Sequence, residues 1–201
     1  MNLLSRRYLV IAVLAGLLLG TAAFWWYLVK PLTLFTEHGE RFYDLFEAPE
    51  LAELAAAGRG QHPVLVHFWL PDCPCQLFAD RHLDALRAQF PGLVLVVLVP
   101  EADAKTLAAA RARFGDGVVV HSAPAGLAAR GLSSPAGLVL DGSGKARYFG
   151  PYANGVLCTP DPENGFVEKI LKSTGARGAG QILNLDAFGC YCRWPRSAPD
   201  R

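Results

Sequence analysis

The sequence lacks an excess of charge of either sign. Its 201 residues include 19 lysines and arginines against 18 aspartates and glutamates, which gives a net charge of +1. It also lacks the basic stripe with which a protein neutralises nucleic-acid phosphates, an acidic tail, internal repeats and low-complexity tracts. No nucleic-acid partner is therefore expected.

Charged residues are absent from Tyr8 to Val29. A helix of that length spans about 30 Å, enough to cross the hydrocarbon core of a bilayer. Two arginines precede this apolar run, one lysine follows it, and three aromatic residues at 25–27 are typical of a membrane interface. The pattern predicts a single-pass membrane protein with its N-terminus in the cytoplasm and the remaining chain outside. For a Gram-negative bacterium, this means an anchor in the inner membrane and a domain in the periplasm.

A cleaved signal peptide is the alternative, with Thr21-Ala22-Ala23 as the cleavage site. The apolar run is longer than the usual signal-peptide core of about 7–15 residues, which favours an uncleaved anchor. Both interpretations export the roughly 170 residues that follow, a length that suits one domain.

Beyond the anchor, strand and helix patterns alternate. Residues 63–69 are continuously apolar apart from His67, as in a strand covered on both faces. Residues 75–90 have helical periodicity and stop at Pro91-Gly92, and they are followed by a strand at 93–99 and a helix at 102–114. This order is typical of a parallel sheet built from βαβ units. Further expected elements are an extended piece at 32–35, a helix within 42–57 broken at Pro49, a strand at 118–120, a short helix at 124–130, a hairpin of 136–140 with 146–149, a helix at 163–173, and an irregular tail.

Five cysteines are many for an exported chain of this size: Cys73, Cys75, Cys158, Cys190 and Cys192. An odd number means that at least one is unpaired or pairs outside the chain. They form two Cys-x-Cys pairs and a singleton. The first pair lies at a strand-to-helix junction, which indicates redox or soft-metal chemistry.

The segment Phe68-Trp69-Leu70-Pro71-Asp72-Cys73-Pro74-Cys75 resembles the active-site segment of the thioredoxin superfamily, and Ser134-Pro135 resembles that family's cis-proline. The resemblance implies an α/β thioredoxin-like fold, a central mixed sheet with flanking helices, preceded here by one transmembrane helix. The chain also resembles membrane-anchored bacterial thioredoxin-like proteins with a Cys-Pro-Cys centre. The expected parts are the anchor at 1–30, a connector at 31–60, the thioredoxin-like domain at 61–175 and a cysteine-containing tail at 176–201.

The cysteine pair is one residue shorter than the thioredoxin pattern. A disulfide between Cys73 and Cys75 closes a small ring, and Pro74 restricts its backbone further, so it forms only if the segment is bent. A strained bridge is easier to reduce, which predicts an oxidising or isomerising centre. If the bend does not form, each thiol acts alone. If it does, three thiols remain for one further bridge.

Roles for the site residues follow from position and from the resemblance. Cys73 precedes the helix, whose free N–H groups stabilise a thiolate, so it is the candidate nucleophile, although Asp72 opposes the effect. Cys75 is the candidate resolving thiol, and the resemblance implies that Pro135 positions the substrate. His67 stands where thioredoxin has a buried proton-relaying aspartate, and an imidazole can do the same work. The alternative is a core histidine bonded to a backbone carbonyl.

The remaining candidates are three cysteines and two histidines. Cys190 and Cys192 either tie the tail to the body or form a resolving or relay pair that docks near Cys73. Cys158 can bridge to the tail. His82 is expected to face solvent, and His121 to end a strand.

Three functions remain open. The first is a cofactor-free thiol-disulfide oxidoreductase acting on exported protein thiols and disulfides or on a membrane redox partner. The second is a copper-handling module in which Cys73 and Cys75 bind Cu(I), since thiolates are soft ligands. The third is a non-catalytic thioredoxin-like assembly domain.

Overall fold

The computed structural model describes residues 3–30, 32–37, 39–57, 62–100, 103–153, 165–174 and 180–195. Cys158 lies outside these ranges. The elements, in chain order, are α1 (Leu3–Phe24), β1 (Leu32–Leu34), α2 (Glu50–Ala56), β2 (Val64–Phe68), α3 (Gln76–Gln89), β3 (Val94–Val99), α4 (Ala104–Phe114), β4 (Val119–Ser122), α5 (Ala125–Ala128), β5 (Ser133–Ser134), β6 (Ala136–Leu140), β7 (Ala146–Gly150), α6 (Phe166–Ser173), β8 (Ile182–Leu183), β9 (Phe188–Cys190) and β10 (Cys192–Arg193). A π-helical turn (Trp25–Val29) continues α1, and two 3-10 turns (Gly39–Phe42 and Leu45–Glu47) precede α2.

Helix α1 is apolar and lies outside the core. The segment Arg6–Tyr27 is long and apolar enough to cross a membrane, and none of it is buried against the rest of the chain. Leucines such as Leu18 and Leu19 are more than two-thirds exposed. A helix that is apolar all round and unburied by protein needs an apolar medium around it. It is therefore a membrane anchor or a signal sequence.

A six-stranded mixed sheet forms the centre of the domain, in the order β4-β3-β2-β6-β7-β8. Strands β2, β3 and β4 are parallel, while β6 and β7 form an antiparallel hairpin beside β2. Helices α3 and α4 supply the crossovers that parallel neighbours require. This is the predicted thioredoxin-like α/β fold, with its mixed sheet and flanking helices, and that prediction is confirmed.

Both faces of the sheet are covered, which explains the unbroken apolar run in β2. All five of its residues are buried. Val64, Val66 and Phe68 face a core that includes α2 and the tail, whereas Leu65 belongs to the layer of α3, α4 and α6. His67 points to that second layer, where its ring meets Phe114 edge to face. The cysteine segment that follows β2 thus emerges between two covered layers.

Helix α3 occupies nearly the predicted range, and Ala79, Leu83 and Leu86 are buried, whereas Leu77 and Phe78 near its start are exposed. Two polar residues are also buried: Asp80 is 5% exposed, and His82, expected to face solvent, is 2% exposed. Asp80 is covered by α4, where it forms an ion pair with Arg113. The ring of His82 packs against that of Tyr152. The helix therefore buries a wider face than its apolar residues alone indicate.

The tail was expected to be irregular, but residues 182–193 contain three short strands. Strand β8 extends the main sheet beside β7, β9 pairs antiparallel with β1, and β10 pairs antiparallel with β5. Strands of two or three residues are too short to show a period of two in the sequence. The expectation of an irregular tail is wrong for this segment.

Candidate active site

Cys73 and Cys75 lie in the turn that joins β2 to α3. The backbone N–H of Cys73 donates to the carbonyl of Leu70 at 3.1 Å, and that of Gln76 donates to the carbonyl of Cys73 at 3.0 Å. Cys75 directly precedes the first residue of α3. The sulfurs are therefore at the helix N-terminus, where unpaired N–H groups carry partial positive charge.

Each cysteine of this pair is bonded to a cysteine of the tail. Disulfides join Cys73 to Cys192 and Cys75 to Cys190, with Cα separations of 5.8 and 5.9 Å. Both separations are ordinary for disulfides. Two Cys-x-Cys segments thus lie side by side, one at the start of α3 and one in the last strands.

This pairing differs from the bridge considered between Cys73 and Cys75. The tail presents two sulfurs with the same one-residue spacing, so two bridges form at ordinary separations and no small ring around Pro74 has to close. The one further bridge expected if Cys73 and Cys75 pair with each other does not apply here, because Cys190 and Cys192 are each bonded to the first pair.

Backbone pairing holds the tail in place on both sides of the sulfurs. Strand β9 sets Cys190 opposite Leu32, and β10 sets Cys192 opposite Ser134. Trp194 is 3% exposed, its backbone N–H donates to the carbonyl of Leu132 at 3.0 Å, and its ring lies 5.7 Å from that of Phe68, between ring centroids. The tail is therefore part of the core and covers the first cysteine pair.

Pro135 follows a cis peptide bond at Ser134. The sulfur of Cys73 lies 3.6 Å from the carbonyl oxygen of Ser134. The Ser134–Pro135 segment is thus next to the sulfur, as the resemblance to thioredoxins implies. The strand that pairs with β5, however, is the chain's own β10. That Pro135 positions a substrate stays a prediction.

The two sides of the disulfides differ in exposure. Cys73 is 4% and Cys75 2% exposed, whereas Cys190 and Cys192 are half-buried. The tail cysteines are thus the more exposed residues of the two bridges.

His67 lies at the centre of a buried polar network. Its Nδ1 is 2.7 Å from the hydroxyl of Tyr152, and its Nε2 is 2.7 Å from the amide nitrogen of Gln76. That amide donates to Asp80 at 3.0 Å, and Asp80 accepts from Nε of Arg113 at 3.0 Å. Among the described residues, neither hydrogen-bonding contact of His67 is with a cysteine or a backbone carbonyl. A relay role for His67 therefore stays a prediction, and the backbone-bonded alternative does not match this geometry.

The network sets the charge state of Asp80. Burial raises the pKa of this carboxyl, but the His67 imidazole 3.6 Å away, the hydrogen bond from Gln76 and the positive charge of Arg113 outweigh burial and leave the pKa below its ordinary value. Burial holds the pKa of Tyr152 well above its ordinary value. Asp80 is thus ionised and Tyr152 neutral at physiological pH.

Gln76 is the residue of this site that the sequence analysis missed. Its Oε1 lies 3.0 Å from the hydroxyl of Ser134 and accepts from the N–H of Leu70 at 3.4 Å. Gln76 thereby links α3 to the end of β2 and to the loop of Pro135. The i,i+4 spacing of Gln76 and Asp80, which places both on one face of a helix, is the signal from which part of the network was detectable.

Three sulfurs lie close enough to share a metal ion. Those of Cys73, Cys75 and Cys192 are all within 4.8 Å of one another. The predicted Cu(I) ligands Cys73 and Cys75 are both in this group, and Cys192 adds a third. The part of the chain that the structure describes adds no histidine to it, so neither His67, His82 nor His121 joins the sulfurs.

Comparison with known proteins identifies a family but no activity. The model of a family described as a domain of unknown function, DUF6436, matches residues 43–194. The match includes both Cys-x-Cys segments. A search of curated proteins finds no match.

Solved structures show similarity at the level of fold. An uncharacterized conserved protein from Geobacillus kaustophilus has a TM-score of 0.52 and 14% identity, over 70% of this chain and 80% of that chain. A hypothetical protein from Sinorhizobium meliloti 1021 has a TM-score of 0.48 and 18% identity, over 71% of this chain and 84% of that chain. A secreted Mycobacterium tuberculosis disulfide oxidoreductase homologous to E. coli DsbE has a TM-score of 0.44 and 17% identity, over 59% of this chain and 85% of that chain. Of these three likenesses, only the first has a TM-score above 0.5, and at its low identity it shows the fold alone.

Proposed function

The chain belongs to the DUF6436 family, and we propose that it is an exported thiol-disulfide oxidoreductase of the oxidant type, with the disulfides Cys73–Cys192 and Cys75–Cys190 as its centre. The observation that carries this proposal is the meeting of two Cys-x-Cys segments at a helix N-terminus beside a cis-proline loop. Four sulfurs in two adjacent bridges store two pairs of oxidising equivalents.

The difference in exposure gives each sulfur a role. A client thiolate attacks the sulfur of Cys190 or Cys192, the half-buried residues of the two bridges, and the sulfur of Cys75 or Cys73 leaves as a thiolate. The start of α3 stabilises that thiolate, and a thiol of lower pKa leaves faster. A second client thiolate then attacks the mixed disulfide and releases the tail sulfur. The client loses two electrons and two protons, and the protein gains two thiols.

This assignment changes the predicted roles within the first pair. Cys73 was expected to attack a client, whereas here Cys73 and Cys75 are the leaving groups of their own bridges. The loop of Pro135 holds the tail strand that presents the sulfurs. His67 orders Gln76, which in turn fixes the end of β2 and the start of α3.

Helix α1 supports a membrane location for this chemistry. We propose that it anchors the protein in a bacterial inner membrane with the N-terminus in the cytoplasm and the cysteines in the periplasm, where disulfides persist. Reduced cysteines would be reoxidised by a disulfide-bearing partner in the same membrane, and the clients are exported proteins with thiols.

The test is a thiol count during client oxidation. Oxidised full-length protein in detergent is mixed with a dithiol peptide, quenched by alkylation and weighed. We expect two and then four newly alkylated cysteines in addition to any label on Cys158, and one peptide disulfide per two new protein thiols. A Cys158→Ser variant should behave as the wild type, and a Cys192→Ser variant should yield half as much peptide disulfide.

The opposite result identifies a structural tie. If a large excess of dithiol peptide leaves all four cysteines unalkylated in the folded protein, the two disulfides only fasten the tail. The chain would then fit the non-catalytic assembly domain instead.

A further inference from the structure

Beyond disulfide exchange, we propose that reduction turns the same four sulfurs into a site for a thiophilic d10 cation, Zn²⁺ or Cu(I). Three of the sulfurs already lie within 4.8 Å of one another, and the fourth, that of Cys190, is bonded to Cys75. Tetrahedral coordination with metal–sulfur distances of about 2.3 Å sets neighbouring sulfurs about 3.8 Å apart. The cluster needs only small side-chain rotations to reach that spacing.

The tail stays docked without its disulfides, because many of its contacts do not involve sulfur. The guanidinium of Arg193 donates to the carbonyls of Phe35 at 2.9 Å and Leu34 at 3.1 Å, and to the hydroxyl of Ser133 at 3.0 Å. Trp194 is buried against Phe68. Reduction therefore leaves the four thiols close to one another.

Opening the site is a balanced redox step. Two molecules of a dithiol reductant transfer four electrons and four protons to the two disulfides and become disulfides themselves. The cation then displaces protons from the thiols, since only thiolates are ligands. Two disulfides of the membrane partner that reoxidises the centre close the site again: they accept four electrons from the thiolates and four protons from water and become dithiols, while the re-formed disulfides release the ion.

Charge and geometry give the two cations different ligand sets. Four thiolates around Zn²⁺ leave a charge of −2, and three around Cu(I) leave the same charge. The N-terminus of α3 offsets part of this charge, while the exposed Asp72 opposes it. Zn²⁺ in an all-sulfur tetrahedral site needs Cys190, whereas Cu(I) is satisfied by Cys73, Cys75 and Cys192.

The experiment is an anaerobic titration of reduced full-length protein in detergent. Zn²⁺ is followed with a chromophoric competitor, Co²⁺ as its spectroscopic substitute by thiolate charge-transfer bands, and Cu(I) with a Cu(I)-selective chelator. We expect one ion per chain in the reduced protein and none in the oxidised protein. Cys190→Ser should lower the affinity for Zn²⁺ at least 100-fold and that for Cu(I) less than tenfold. Cys192→Ser should lower both affinities at least 100-fold, and Cys158→Ser should change neither.

Two results overturn the proposal. One is the absence of ion binding by reduced wild-type protein whose near-ultraviolet circular dichroism shows a native fold. The other is binding that persists in Cys192→Ser, which would place the ligands elsewhere. Ion binding is measured without a client. A failure of peptide oxidation therefore does not change the outcome of the ion titration, and a failure of ion binding does not change the outcome of the peptide oxidation.

Discussion

At the scale of single residues, Gln76 determines how the cysteine turn is held. It joins His67 of β2, Asp80 of its own helix and Ser134 of β5 in one buried set of hydrogen bonds. Such networks fix a unique geometry when all their members are satisfied. Here the network fixes the relative positions of β2, α3 and β5, the elements that adjoin the cysteine turn and Pro135.

Asp80 makes this network sensitive to acid. The pKa of Asp80 in the folded state lies below its ordinary value, so the unfolded chain binds a proton at this carboxyl more readily. The ionised carboxylate therefore stabilises the fold above about pH 4, and this stabilisation is lost as the pH falls through the folded-state pKa. We expect Asp80→Asn to lower the free energy of unfolding at pH 7 by about 1–3 kcal/mol and to flatten the acid part of the stability curve. Urea unfolding from pH 2 to 7 measures both effects.

Asp84→Asn is the matched control, because Asp84 binds the same Arg113 but its side chain is 50% exposed, against 7% for Asp80. An exposed ion pair contributes less than about 1 kcal/mol. Equal losses for the two variants at pH 7, or an unchanged acid slope in Asp80→Asn, would contradict the role given to the buried carboxylate.

At the scale of elements, the predictable parts are those whose own residues carry a periodic pattern. Strand β2 and helix α3 were predicted because apolar residues recur along five and fourteen positions. Strands β9 and β10 have three and two residues and pair with β1 and β5, far away in sequence. Neither local propensity nor spacing reveals such partners, so the pairing of Cys190 and Cys192 with the first cysteine pair was not predictable.

Tail docking predicts a difference between two aromatic residues. Trp194 is 3% exposed in the core, whereas Phe188 on β9 is 52% exposed. We expect Trp194→Ala to lower the free energy of unfolding of the reduced protein by about 3–5 kcal/mol and Phe188→Ala by less than about 0.5 kcal/mol. Urea unfolding under reductant gives the energies, and limited proteolysis of the tail shows where the structure opens.

If the tail of the reduced wild-type protein is cleaved as fast as that of the reduced Trp194→Ala variant, packing does not hold the tail in place. In that case the disulfides alone would keep β9 and β10 in place. The four thiols would then separate on reduction.

At the scale of the whole molecule, the sulfur cluster is close to the end of the apolar helix. The helical span ends at Val29, and Leu32, three positions later, pairs with Cys190. Three residues reach about 10 Å at most. If α1 spans the membrane, the cluster therefore lies near the membrane surface, within reach of a membrane-embedded redox partner and of clients that emerge beside it.

This arrangement predicts which cysteines can be labelled from outside the inner membrane. In spheroplasts, a membrane-impermeant maleimide should label Cys73, Cys75, Cys190 and Cys192 only after a charged phosphine has reduced the two disulfides. The N-terminal end of the span carries the excess positive charge, so Ser5→Cys in a cysteine-free background should be labelled only after detergent opens the membrane. Mass spectrometry of the alkylated peptides separates these sites. The proposed orientation would be reversed if Ser5→Cys were labelled in intact spheroplasts while the four cysteines of the wild type were protected until lysis. The four cysteines would then lie in a reducing compartment.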